Sequence, residues 1–258
     1  MNVTKKHTTV YINKGGGLMN HISWNTTKKC NLYCKHCYRE SGPDKMKDEL
    51  STEEGKKLLA DIVKAGMTTI VFSGGEPMLR EDIFDLIGYA KAIGMTCLMG
   101  SNATLIKADR AQLLKDKGLD AIAISIDSLK PDQHNRFRGG ARAFEEAVEG
   151  AKNCIEAGIR LQLNCTITRE NMDEIEEIAD YANQLGAVSS HMLFLVDTGR
   201  GKDLKEIGLD IGEYRRAINR IIDKDMQMDI RVKPTCAPQY KVESLLRGIN
   251  SDGGNRGC

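Results

Sequence analysis

Lys29-Cys30-Asn31-Leu32-Tyr33-Cys34-Lys35-His36-Cys37-Tyr38 decides how the rest of this chain is read. Three cysteines at spacing C-x3-C-x2-C stand in one short polar segment, after a strand and well before the first helix. Thiolates so close in sequence can converge on one soft metal centre. Three are one short of the four that a structural zinc or a purely protein-held [4Fe–4S] cluster takes. A centre left one ligand short keeps a position open for water or substrate, and that incompleteness points towards chemistry. His36, inside the run, keeps a zinc site as the competing reading.

Outward from this loop, strands and helices alternate. On its N-terminal side, Ile22, Trp24 and Thr26 alternate with polar neighbours, which predicts a first strand over 19–26. Residues 1–18, with Gly15-Gly16-Gly17 near their end, read as a flexible tail. On the other side, 40–50 is charged and irregular. Ser51 with Glu54 three residues on then forms a capping box, and Leu58, Leu59, Ile62 and Val63 give a helix its apolar stripe. Short β-prone runs follow at 68–73, 95–100, 119–127, 159–168 and 188–196. Helices near 81–93, 107–117, 141–157 and 171–185 lie between them, each closing on glycine. Such regular alternation means parallel strands joined by crossover helices. Six units are too few for an eight-stranded barrel and suit an open (β/α)6 partial TIM barrel. The pattern alone equally allows a doubly wound α/β sheet. In either case functional residues collect at the C-terminal ends of the strands, where the cysteine loop falls.

Beyond 196 come a glycine- and charge-rich loop (197–208, with Gly199-Arg200-Gly201), an amphipathic helix over 210–224 and a short strand at 229–232. The stretch from Pro234 to Cys258 carries Cys236 and Cys258 and does not read as a completed domain. The expected organisation is therefore a tail (1–18), a partial barrel (19–208) and an incomplete, apparently truncated extension (209–258).

Ser73-Gly74-Gly75-Glu76-Pro77, ending the second strand, is the second strong signal. Paired glycines let backbone approach a ligand closely, and a strand edge entering a loop offers carbonyls to a cationic amino group. Its bland reading is a Gly-Gly turn before a helix-entry proline. Weaker candidates end later strands: Asn102, Ser125, Asp127 and Asn164, all residue types that also favour turns and caps. Arg138, in Arg136-Phe137-Arg138-Gly139, suits a carboxylate, either of a ligand or of a surface Asp or Glu. Cys97, Cys154 and Cys165 lie among apolar residues, where a small buried thiol is the usual role.

The cysteine spacing and the Gly-Gly-Glu-Pro run together resemble the radical S-adenosylmethionine (SAM) superfamily. The resemblance implies that Cys30, Cys34 and Cys37 hold three irons of a [4Fe–4S] cluster whose fourth iron is chelated by SAM. It places His36 near the adenine, and Gly74, Gly75, Glu76 and Pro77 at the amino group. It also places Ser125, Asp127 and Arg138 near the carboxylate or ribose, with Asn164 at the ribose and Asn102 as a weaker contact. Ile22–Thr27, Tyr38–Gly42 and Phe194–Gly201 are similar to the NirJ-like haem-biosynthesis branch, which includes didecarboxysiroheme deacetylase and haem b synthase. That branch implies a tetrapyrrole substrate, an electron donor such as ferredoxin or flavodoxin, and a SPASM-type extension with an auxiliary Fe–S cluster. Cys236 and Cys258 look like its opening ligands. Two other classes compete: a peptide-modifying SPASM enzyme, and a non-catalytic protein in which the metal only staples the fold.

Thirty-seven basic residues against thirty-six acidic ones give a net charge of +1, without the basic excess expected of a nucleic-acid binder. No apolar run reaches membrane-spanning length and no signal-peptide core opens the chain, so a cytoplasmic protein is expected.

Overall fold

The strand Arg160–Ile167 carries the rule that builds the sheet: Leu161, Leu163, Cys165 and Ile167 are buried, while Gln162, Asn164 and Thr166 between them are only half-buried. Successive side chains of a strand point to opposite faces. The buried set joins one core with Ile175, Ile178 and Ala179 of the following helix. The half-buried set lies on the face that the helices leave uncovered.

A computed structural model describes residues 10–12, 21–44 and 48–249. Its eight strands are β1 (Val10–Ile12), β2 (His21–Thr27), β3 (Thr69–Gly74), β4 (Thr96–Ser101), β5 (Ala121–Ser125), β6 (Arg160–Ile167), β7 (Ser189–Phe194) and β8 (Arg231–Thr235). They stand side by side in chain order in a single sheet. β1 runs antiparallel to β2, and β2 to β8 are all parallel. Helices α1 (Thr52–Lys64), α2 (Ile83–Ala92), α3 (Ala108–Asp116), α4 (Pro131–Arg138), α5 (Ala143–Glu156), α6 (Ile175–Gln184), α7 (Ile211–Gln227) and α8 (Gln239–Leu246) complete the chain. This is the expected α/β partial barrel.

Its strand inventory is larger than the six units predicted. Val10–Ile12, within the expected tail, pairs with Ile22–Trp24. β8 starts two residues later than the predicted 229–232 strand and continues through Pro234. Sequence reading stops at a proline because it cannot donate to a ladder, but β8 pairs only with β7 and is an edge, where a missing N–H is tolerated. β8 thus belongs to the sheet and α7 packs into the same core, although the sequence places residues from 209 on in an extension. The rest of the expected tail, 1–9 and 13–18, lies outside the described residues.

α4 is a helix that the sequence pattern does not predict. Pro131 stands in its first turn and Gly139 closes it at φ 70°, which are ordinary helix signals. Its buried face, however, is His134, Phe137 and Arg138, so no apolar stripe marks it. By contrast α1 begins as predicted: the Ser51 hydroxyl accepts from Glu54 N at 3.4 Å and Ser51 N donates to the Glu54 carboxylate at 3.0 Å.

The helix-free face is polar and short in side chain. Ala121, Ala123 and Ser125 on β5, and Gly100 on β4, are half-buried residues with little volume. A closed (β/α)8 barrel fills this interior with branched apolar side chains. Here small and polar residues leave room along it. Among the described residues no helix is long and apolar enough to cross a membrane.

Candidate cluster and cofactor site

The cysteine loop leaves the C-terminal end of β2 and folds back on itself: Cys30 N donates to Gly42 O at 2.6 Å, and Gly42 N to Lys28 O at 3.4 Å. Cys37 N bonds Cys34 O at 3.3 Å, a tight turn that brings the last two thiols together. Cys30 and Cys34 are buried and pack with Leu32 and Ala143, and Cys37 lies half-buried against them. Burial pushes the Cys30 thiol up to about 11, with the backbone at Leu32 opposing and Glu76, Cys34 and Cys37 adding to the rise. Burial also raises Cys34, against the pull of Arg138.

Each sulfur has a donor aimed at it. Asn102 Nδ2 lies 3.8 Å from Cys30 Sγ, Ser41 N lies 3.5 Å from Cys37 Sγ, and the buried Arg138 guanidinium acts on Cys34. Such donors stabilise thiolate and, at Fe–S centres, set the potential. Among the described residues no three His, Cys, Asp or Glu side chains gather closely enough to share a single ion. A cubane instead takes each thiolate at a different iron. Three neighbouring thiols, each with its own donor, fit the [4Fe–4S] group that the resemblance implies, and metal binding would displace the protons that burial retains.

Three neighbouring loops hold the cysteine loop in place. After β3, Gly75 N donates to Thr27 O at 2.7 Å and Glu76 N to Lys29 O at 2.8 Å. A Cβ on Gly75 would sit 2.2 Å from Lys29 O. The glycine is therefore required by the backbone of the cysteine loop itself, whereas the sequence suggested approach to a ligand. At the end of α4, Phe137 O accepts from Lys35 N at 2.9 Å. After β7, Arg200 spans the loop: Nε donates to Cys34 O at 2.8 Å and Nη1 to Ser41 O at 2.9 Å, while its guanidinium lies 3.9 Å from the centre of the Tyr33 ring. Gly199, at φ 55°, passes so close that a Cβ would meet Cys37 O at 2.5 Å. Arg200 was not among the candidate residues. Its only sequence signal is the Gly-Arg-Gly at 199–201.

Glu76 is fully buried, and its carboxylate accepts from Ser101 Oγ at 2.8 Å, Asn102 N at 2.8 Å and Met78 N at 3.1 Å. Burial pushes its pKa up, and these donors oppose the rise. Its oxygens thus face the protein, where the sequence had placed them near a ligand amino group. What Glu76 does is fix the β4 loop, and with it Asn102 beside Cys30. Pro77 is buried at the start of the 3-10 turn Pro77–Leu79.

Asp127 and Arg138 were expected at a ligand carboxylate, or Arg138 at the surface; they are found buried and paired with each other. Arg138 Nε bonds Asp127 Oδ2 at 2.5 Å, and Asp127 Oδ1 accepts from Thr166 N at 2.8 Å. The Arg138 charge also acts on Cys34, so the pair couples β6 to the cysteine loop. Asp127 N donates to His134 Nδ1 at 3.1 Å, which leaves the imidazole proton on Nε2. His36 stacks on Phe137, with centroids 4.3 Å apart and planes 11° from parallel. Burial, and then Arg138, push its pKa down to about 4, so the ring is neutral near pH 7, and its buried Nδ1 has no hydrogen-bond partner. Ser125 and Asn164 are register partners on the helix-free face, with Asn164 Oδ1 accepting from Gln162 Nε2 at 2.7 Å. Cys236, exposed at φ 58°, follows β8 rather than joining this site. Cys258 lies outside the described residues.

Two results are expected from this packing. Gly75→Val should lower both SAM affinity and cluster iron, because the new side chain displaces Lys28 and Lys29 before it meets any ligand. A variant with normal iron and weakened SAM binding would show that the glycine serves the ligand alone. Arg200→Ala should leave the fold intact while cluster iron is lost to a chelator several-fold faster, read from bleaching of the cluster absorbance. An unchanged rate would remove Arg200 from the support of the loop.

The radical SAM superfamily model matches residues 24–182. The AdoMet-dependent heme synthase of Nitratidesulfovibrio vulgaris is 38% identical over 219 residues, 85% of this chain and 60% of that protein. The Fe-coproporphyrin III synthase of Methanosarcina barkeri is 36% identical over 207 residues, 80% of this chain and 52% of that one. The chain thus spans little more than half the length of these relatives. Among solved structures, Streptococcus suis SuiB bound to precursor peptide SuiA superposes with a TM-score of 0.74 at 17% identity, covering 86% of this chain and 50% of that one. That likeness concerns the fold.

Proposed function

As the chain belongs to the radical SAM superfamily, we propose that it binds a [4Fe–4S] cluster through Cys30, Cys34 and Cys37 and cleaves SAM to modify tetrapyrrole side chains in haem biosynthesis. The observation that carries this reading is the cysteine loop: three thiols, each with a donor, at the rim of a sheet face lined by small and polar residues. When bound, the cluster supplies one electron for reductive cleavage of SAM to methionine and a 5′-deoxyadenosyl radical. The chain's own residues orient and enclose. Asn102, Ser41 and Arg138 direct N–H groups at the sulfurs, His36 presents a neutral ring beside Phe137, and Ser125 and Asn164 offer hydrogen-bonding groups on the open face.

The tetrapyrrole is favoured by the relatives named heme synthase and Fe-coproporphyrin III synthase. Ferredoxin or flavodoxin would deliver the electron to a soluble, cytoplasmic enzyme that takes neither nucleic acid nor membrane as partner. The segment beyond β8, with Cys236 and Cys258, would open a SPASM-like extension holding an auxiliary cluster. The test is anaerobic reconstitution with iron and sulfide, then reduction with SAM and siroheme- or coproporphyrin-derived substrates. Production of 5′-deoxyadenosine together with a changed porphyrin mass is expected. SAM cleavage that no tetrapyrrole stimulates would overturn the substrate, and one zinc with no labile sulfide would overturn the enzyme.

A further inference from the structure

One register row of the sheet crosses four strands with polar side chains. Ser125 of β5 pairs with Asn164 of β6, Asn164 with His191 of β7, and His191 with Lys233 of β8. All four are half-buried, and each alternates with residues that pack under the helices: Ile124, Leu163 and Cys165, Met192, and Val232. The row therefore lies on the helix-free face. The first two members were singled out from the sequence, and the last two were not.

Lys233 is the unusual member. A lysine is seldom withdrawn from water without a counter-charge. Arg231, two residues before it, is answered by Asp225 at 3.0 Å. Lys233 has no such answer among the described residues: burial and then Arg231 lower its pKa, and no carboxylate acts on it. His191 is pushed down to about 3, by burial and then by Lys233, so the imidazole beside the ammonium is neutral and serves as a hydrogen-bond group. An ammonium next to a neutral imidazole, on an open face otherwise free of charge along this row, lacks one component, which is an anion.

We propose that Lys233 and His191 form a subsite for a carboxylate of the substrate, on the β7–β8 flank of the open face. This rests on the reading that a tetrapyrrole carrying acidic side chains is held on that face. The row then divides the sheet: Ser125 and Asn164 stand on the strands nearer the cysteine loop, and Lys233 with His191 on those farther along. Lys233 fixes how the ring is turned by holding one acid at a set distance, and it takes no part in bond breaking.

The experiment compares coproporphyrin III, a tetracarboxylate, with its neutral tetracarboxamide, by fluorescence titration of the 258-residue chain loaded with its cluster. Wild-type protein is expected to bind the acid about tenfold or more tightly than the amide, the scale of one charge-assisted hydrogen bond. Lys233→Met keeps the aliphatic stem and should bring that ratio close to one, without weakening the amide. Lys233→Arg should retain most of the preference. Should Lys233→Met fail to fold, Lys233→Gln makes the same comparison with a polar, uncharged side chain. An acid-to-amide ratio unchanged in the Met or Gln variant would overturn the subsite and leave the tetrapyrrole reading standing. Wild-type protein that binds SAM but neither porphyrin would overturn the tetrapyrrole reading and the subsite together.

Discussion

Cys34→Ala protein, reconstituted anaerobically with iron and sulfide, is expected to hold almost no cluster iron, against about four irons per chain for the wild type. The effect should be close to complete because only three protein ligands are available. A cubane reduced to two of them exposes two irons, and exposed clusters lose metal. Cys34 is the informative choice of the three. It is buried, its carbonyl is held by Arg200, and Arg138 faces its sulfur. Removing the sulfur keeps the Asp127–Arg138 pair, so the loop should retain its path while the metal is lost. Cys97→Ala is the matched control. Cys97 is fully buried in the main core, and burial pushes its thiol up to about 12, so the substitution should cost packing alone and leave iron unchanged. Iron and sulfide assays with the visible absorbance check both. Wild-type-like iron in Cys34→Ala would exclude the loop as the binding site.

Arg138→Met should be the most destabilising substitution at the site, by about 3–5 kcal/mol, because it leaves the buried Asp127 carboxylate without its cation. Urea unfolding at neutral pH measures this. The pH dependence has a definite sign. Burial pushes Asp127 upward, but Arg138 and then His36 hold it well below the usual carboxylate range. A depressed folded pKa contributes stability above the unfolded value of about 4, and that contribution is lost as pH falls further. The gap between wild type and Arg138→Met should therefore be widest near neutrality and narrow below about pH 4. A gap independent of pH would mean that the pair contributes through packing alone. Because Arg138 also reaches Cys34, the variant should load iron poorly even where it stays folded.

Features set by neighbouring residues were legible in the sequence. The cysteine spacing, the capping box at Ser51 and Glu54, and the strand–helix alternation are all local patterns, and each was found where it was expected. What failed to show were facts about partners distant in the chain. Gly75 stands out in the sequence, but the carbonyl that forbids its side chain belongs to Lys29. Glu76 and Asp127 stand just after strand ends and Arg138 closes α4, but their protein partners were not legible, since a strand-end carboxylate looks the same whether it meets a ligand or a buried donor. α4 stayed hidden because a His-Phe-Arg face does not read as apolar, and the predicted 229–232 strand stopped short of β8's true end because a proline at an edge reads as a break. His191 and Lys233 fell inside strands, where charge and polarity on the open face look like ordinary alternation.

The Arg200 bridge also has a meaning in time. The residue that closes over Cys34 and Ser41 stands 166 positions after the first of them. A ribosome adds about 5–20 residues per second, so the cysteines emerge roughly 8–33 s before the side chain that secures them. During that interval the thiols are on a tether with one flank missing, and iron delivered then would be easily surrendered. Retention of the metal therefore reports that synthesis has run through the seventh strand and beyond.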